Sequence, residues 1–150
     1  MERQESTQLD DLDLQIVRLL QNEGRLSVPE IARRVNTSRP TAYARFKRLV
    51  EDGTITGFQA QIDHRRLGLP VAALLLIETH QSQWRTVADE LLDDPSVVWL
   101  GLITGPADLA VLVRAESLGH LRDVILNDVT QATGVKSIET NILLEELGRP

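Results

Sequence analysis

Cysteine is missing from all 150 residues, which removes disulfides, thiolate metal sites and a thiol nucleophile together. No apolar run approaches the roughly 18 residues that a membrane-spanning helix needs. The opening Met1–Gln8 is polar and acidic where a secretory signal would be cationic and then apolar. A cytoplasmic protein without membrane contact is therefore expected. The three histidines, His64, His80 and His120, share no metal-ligand spacing, and the carboxylates do not cluster to complete a site. A glycine-rich phosphate loop and a G-x-S-x-G elbow are absent as well, so no metal, cofactor or catalytic residue is expected. Positive charge is also short: 16 Lys+Arg face 22 Asp+Glu, a net charge of −6, the opposite of the basic footprint of a nucleic-acid binder.

The distribution of charge reverses that impression. Residues 1–60 carry 9 cations and 9 acids, whereas residues 61–150 carry 7 and 13. Between Arg25 and Arg48 stand Arg25, Arg33, Arg34, Arg39, Arg45, Lys47 and Arg48 against the single acid Glu30, a local basic patch inside an acidic chain.

Apolar spacing predicts a helix over Leu9–Leu20, with Asp10, Asp11 and Asp13 where a helix start favours negative charge. Asn22-Glu23-Gly24 ends it. Ser27, Pro29 and Glu30 form the S-x-x-E pattern of a capped second helix running to about Val35. After a turn at Asn36-Thr37, Ser38 caps a third helix that lasts until Asp52-Gly53. The β-branched, alternating stretch from Thr54 to Ile62, with a turn at Gly57, is expected to form the strands of a wing. Residues 63–70, charged and then holding Gly68 and Pro70, read as a linker between domains 1–62 and 71–150.

Beyond the linker the pattern predicts strand Val71–Thr79, helix Trp84–Leu92, strands Val97–Ile103 and Leu109–Val113, helix Leu118–Val129 and strand Ile138–Leu144. This β-α-β-β-α-β order is the ferredoxin-like plan. The expected fold class is α+β, an N-terminal winged helix-turn-helix followed by a ferredoxin-like domain. The first strand is apolar on both faces, which a sheet covered on one side by two helices does not require. A second subunit is expected on the other face.

On a wheel of about 100° per residue, the third helix turns Ala42, Phe46, Leu49 and Val50 to one side and Thr41, Ala44, Arg45 and Arg48 to the other. Arg offers paired donors to guanine or phosphate, and the small Thr41 and Ala44 permit close approach and contact with a thymine methyl. The helix start, at Ser38 and Arg39, adds backbone donors near phosphate. Tyr43 and Lys47 flank this face within reach of the DNA backbone. The candidate DNA-binding residues are thus Ser38, Arg39, Thr41, Tyr43, Ala44, Arg45, Lys47 and Arg48, and the expected partner is double-stranded DNA.

Leu9-Asp10-Asp11-Leu12-Asp13, Gly24-Arg25-Leu26-Ser27, Glu30-Ile31-Ala32-Arg33-Arg34-Val35, Ser38, Arg45-Phe46-Lys47-Arg48-Leu49 and Gly53-Thr54-Ile55 resemble the leucine-responsive regulator and AsnC (Lrp/AsnC, feast/famine) family of transcription regulators. Gly57-Phe58, Leu67-Gly68 and Thr104-Gly105 with Asp108 extend the likeness over nearly the whole chain. The resemblance implies DNA binding as a homodimer, assembly to a tetramer or octamer, and an amino acid or similar small-molecule effector held by the C-terminal domain. It places the effector at the loop Thr104-Gly105-Pro106-Ala107-Asp108, with Thr140 and Asn141 of a neighbouring subunit as further polar candidates. Asp108 suits an ammonium group, Thr104 a carboxylate, and Gly105 close backbone approach. The same residues also fit a plain turn capped by Asp108. Two other functions stand beside the regulator: a metabolite-binding or assembly protein on a helix-turn-helix that no longer binds DNA, and an enzyme like the sirohaem decarboxylases related to the family. Those enzymes carry His-Asn-Tyr where this chain has Val98-Trp99-Leu100.

Overall fold

The computed structural model describes residues 9–80 and 83–146; the opening Met1–Gln8 and the last four residues of the expected second domain lie outside them. The chain forms two compact units that meet in sequence between Gln61 and Ile62.

In the first unit, α1 (Asp11–Asn22), α2 (Val28–Arg34) and α3 (Arg39–Glu51) follow the predicted pattern. Asp10 caps α1 by accepting the Asp13 N–H at 3.0 Å, while the Asp13 carboxylate accepts the Asp10 N–H at 3.1 Å. Two aspartates thus close a reciprocal box and satisfy donors that a helix start leaves free. The corresponding box at Ser27 does not form: Ser27 occupies the cap position without a side-chain bond. Glu30 instead accepts Arg33 at 2.6 Å and Arg34 at 3.0 Å, because charge-assisted pairs outcompete a neutral backbone donor. The α2–α3 turn passes through Asn36 at φ 52, and the Thr37 N–H reaches the Ala32 carbonyl at 2.9 Å. Ile16, Leu20, Ile31 and Leu49 form the core, with Leu12, Phe46 and Ile55 packed against it.

The expected wing strands are absent. Thr56–Asp63 is exposed chain outside any strand. The segment is anchored by the Ile55 N–H on the Leu49 carbonyl at 2.7 Å and by Phe58 stacked on Phe46 with ring centroids 6.3 Å apart. A two-stranded hairpin with no third strand or helix beneath it is at best marginal, and the anchors hold the segment without pairing. The predicted linker is more ordered than expected. Asp63, His64 and Arg65 carbonyls accept N–H groups of Arg66, Leu67, Leu69 and Gly68 in one tight turn.

The second unit is an antiparallel four-stranded sheet, order β2-β3-β1-β4, from β1 (Val71–Thr79), β2 (Val97–Leu102), β3 (Leu109–Ala115) and β4 (Val135–Ile142). It is the ferredoxin-like arrangement that the element order predicted. Leu75 sits between Val111 and Thr140 in register. Alternation sends Ala73, Leu75, Ile77, Val111 and Val113 into a core shared with Val87 and Leu91 of α4 (Trp84–Leu92) and with Leu121 of α5 (Leu118–Asp123). The long helix predicted to Val129 changes form: α5 continues as a π-helix over Val124–Val129, closed by the Thr130 N–H on the Ile125 carbonyl at 2.9 Å. β4 begins at Val135, three residues earlier than its composition indicated. Gly134, at φ 109, turns the chain and its carbonyl accepts the His80 N–H at 2.8 Å, so pairing starts at once opposite Thr79.

Candidate nucleic-acid interface and effector loop

Ser38 sets the start of α3, its hydroxyl accepting the Thr41 N–H at 3.2 Å and lying 2.7 Å from the Thr41 hydroxyl. Both residues are exposed, as are Arg39, Tyr43, Ala44 and Lys47. Tyr43 is 60% exposed and Val50 43%, so Val50 leaves the core side where the wheel put it. The open sector of α3 is turned about a quarter of a circle from the predicted one, toward Tyr43 and Lys47.

The reason lies in α1. Arg45 and Arg48, expected as free donors, are held by carboxylates of the same domain. Arg45 Nη1 bonds Asp10 Oδ2 and lies 3.1 Å from both Asp13 oxygens, and Arg48 Nη2 bonds Asp13 Oδ2. Asp13 is 0% exposed, which keeps this flank of α3 against α1. Asp10 titrates below its usual range because it accepts the Asp13 N–H and, next, the Arg45 guanidinium. Lys47 has only a loose pair with Glu51 at 3.5 Å, open to solvent. The sequence reading missed Asp10 and Asp13 as partners of α3, although the D-x-x-D spacing at a helix start was in view.

In the second unit, Thr104–Asp108 joins β2 to β3. Gly105 takes φ 131, a conformation that disfavours any side chain. The Ile103 N–H meets the Asp108 carbonyl at 2.8 Å, and the Asp108 N–H meets Ile77 at 2.9 Å. Asp108 Oδ2 accepts both the N–H and the hydroxyl of Thr79, each at 2.7 Å. Those bonds, the backbone one foremost, lower its pKa, and the charge of Lys136 adds to them. Glu78, paired with Lys136 and bonded by Ser137 at 3.2 Å, stands beside Thr79. Thr79, Glu78, Lys136 and Ser137 were not singled out in the sequence, since cross-strand register alone brings them to this loop. Thr140 and Asn141 do not join it within one chain. Thr140 pairs opposite Leu75 and lines a cavity of ≈360 Å³ with Leu118, Ile125 and Leu126, while Asn141 opposes Leu74 on the other face.

That outer face carries Leu74 and Leu76 of β1 with Ala110 and Leu112 of β3, and Trp99 of β2, 52% exposed. The indole lies over Gly101, where an added Cβ would meet it at 2.7 Å. Among the described residues, no helix is long and apolar enough to cross a membrane.

A helix-turn-helix whose second helix is capped and presents a cationic exposed face, joined in one chain to a ferredoxin-like domain, defines a two-domain DNA-binding regulator. A family described as winged helix-turn-helix DNA-binding matches residues 9–56, and the Lrp/AsnC ligand binding domain matches residues 72–149. The chain belongs to the Lrp/AsnC family of transcriptional regulators. It is 38% identical over 136 residues to an HTH-type transcriptional regulator of Pyrococcus horikoshii, covering 91% of this chain and 86% of that one. Its fold matches a Neisseria meningitidis transcriptional regulator solved with L-methionine, at TM-score 0.88 and 22% identity over 95% of this chain and 94% of that one. Escherichia coli AsnC matches at TM-score 0.85 and 23% identity, over 95% and 97%.

Proposed function

We propose that the protein binds its operator through Ser38, Arg39, Thr41, Tyr43, Ala44 and Lys47, with Arg45 and Arg48 orienting that face. The observation that carries this reading is the exposed sector of α3, which combines cations, a phenol and a small residue on a capped helix. Arg39 and Ser38 serve phosphate near the helix start, Lys47 and Tyr43 reach backbone or base edges, and Ala44 allows close approach. The C-terminal domain holds an amino acid or related metabolite at Thr104–Asp108 and acts by allostery rather than catalysis. L-methionine in the Neisseria regulator supports that ligand class. Two copies associate through the apolar outer sheet faces and then build to a tetramer or octamer, fixing the separation of the recognition helices. A ligand biases this assembly only as far as it prefers one state.

Fluorescence anisotropy on the gene's own upstream DNA and on a scrambled duplex, across a salt series, tests the reading. The expected result is preference for the upstream duplex with a steep negative salt slope; no binding to either duplex at low salt overturns it.

A further inference from the structure

Four cations belong to α3, and carboxylates of very different depth face three of them. Lys47 faces Glu51, whose side chain is 64% exposed; such a pair exchanges readily for phosphate. Arg45 and Arg48 both face Asp13, which is 0% exposed, and Arg45 also faces Asp10, which caps α1. Moving either guanidinium to DNA would strand a buried carboxylate with fewer partners, a costly state.

We propose that Asp10 and Asp13 act as internal substitutes for DNA phosphate, occupying Arg45 and Arg48 and so limiting sequence-independent binding. Non-specific affinity grows with the number of phosphates neutralised, and discrimination is the ratio of specific to non-specific affinity. Two arginines withheld from the backbone lower the denominator of that ratio while leaving Arg39, Tyr43, Ala44 and Lys47 exposed. Asp10 and Asp13 are therefore positioning residues that set specificity, and this rests on the DNA-binding reading above.

The test is anisotropy of the full chain on a random duplex and on the upstream duplex over a salt series, with thermal melts followed by circular dichroism. Asp13→Asn removes the buried charge while its amide oxygen still accepts the Asp10 N–H. Asp10→Asn keeps an equally good helix cap and loosens Arg45 while Arg48 stays on Asp13, so it carries the Arg45 half of the test if Asp13→Asn does not fold. The expected result is a random-duplex salt slope steeper by about 0.9 for each arginine released, with about tenfold tighter low-salt binding when both are free. The upstream-to-random ratio falls accordingly. Changing Arg45 and Arg48 to Gln in the Asp13→Asn background returns the slope to that of the wild type. A merely structural defect lowers affinity and never steepens the slope. Unchanged slopes in the folded variants, beside a wild type that binds, overturn this inference alone; a wild type that binds no duplex overturns it together with the DNA-binding reading.

Discussion

At Lys47 and Arg39 the side chains are exposed and, among the described residues, bound weakly or not at all within their own domain. Each truncated to Ala is expected to flatten the salt slope on upstream DNA by about 0.9, with the melting temperature unchanged, as read by anisotropy and calorimetry. Asp13→Ala behaves differently. It removes the buried acceptor of two partly exposed guanidinium groups and of the Asp10 N–H, and is expected to cost about 2 kcal/mol by chemical denaturation. Asp108 gives a pH signature. Its folded-state pKa lies below the ordinary 3.8, so the unfolded chain binds the proton first. The stabilisation from the Thr79 bonds is thus complete above the ordinary value and lost as pH falls through the lowered one. The melting-temperature difference between wild type and Asp108→Ala is expected to be constant at neutral pH and to shrink below about pH 4. A difference that persists unchanged in acid would remove the carboxylate from that role.

Among the elements, those with local signals were legible in advance. Caps, periodicity and terminal glycines marked α1, α2 and α3, and β1 and α4 run over the predicted residues. Ser38→Ala, which removes the α3 cap, is expected to cost about 1 kcal/mol by denaturant titration. Elements that depend on distant partners were not legible. The Asp13–Arg45 contact joins positions 32 apart, and a helical wheel drawn on α3 alone had no means of showing that α1 claims one flank. The candidate DNA surface was therefore identified as a helix but rotated as a face. The strands expected within the wing did not form for a related reason: Thr54–Ile62 has strand composition, yet strands require a neighbour, and the aromatic contact to Phe46 satisfies the segment otherwise. The π-helix after Asp123 adds a residue to the turn that no composition marks. At the Thr104–Asp108 loop, Gly105 and Asp108 were legible from turn chemistry, whereas Thr79 and Lys136 arrive only through register.

For the whole molecule, the outer sheet face is the surface proposed to meet a second copy. Asp introduced at Leu76 and Leu112 is expected to convert the proposed dimer to monomer in sedimentation velocity. Trp99 emission should shift to the red on dissociation, read in a Trp84→Phe background so that one indole reports. A dimer that survives both charges would move the interface elsewhere. The unpaired stretch between the two units has a further consequence. Proteases bind substrate as extended, accessible chain, and Thr56–Gln61 has that form, with Phe58 51% exposed within it. Brief chymotrypsin treatment is therefore expected to cut first after Phe58, a site that mass spectrometry would locate. It yields a net-neutral fragment with nine cations and nine acids and an acidic remainder, which separate on an ion exchanger, so a single scissile bond parts the helix-turn-helix unit from the ferredoxin-like one.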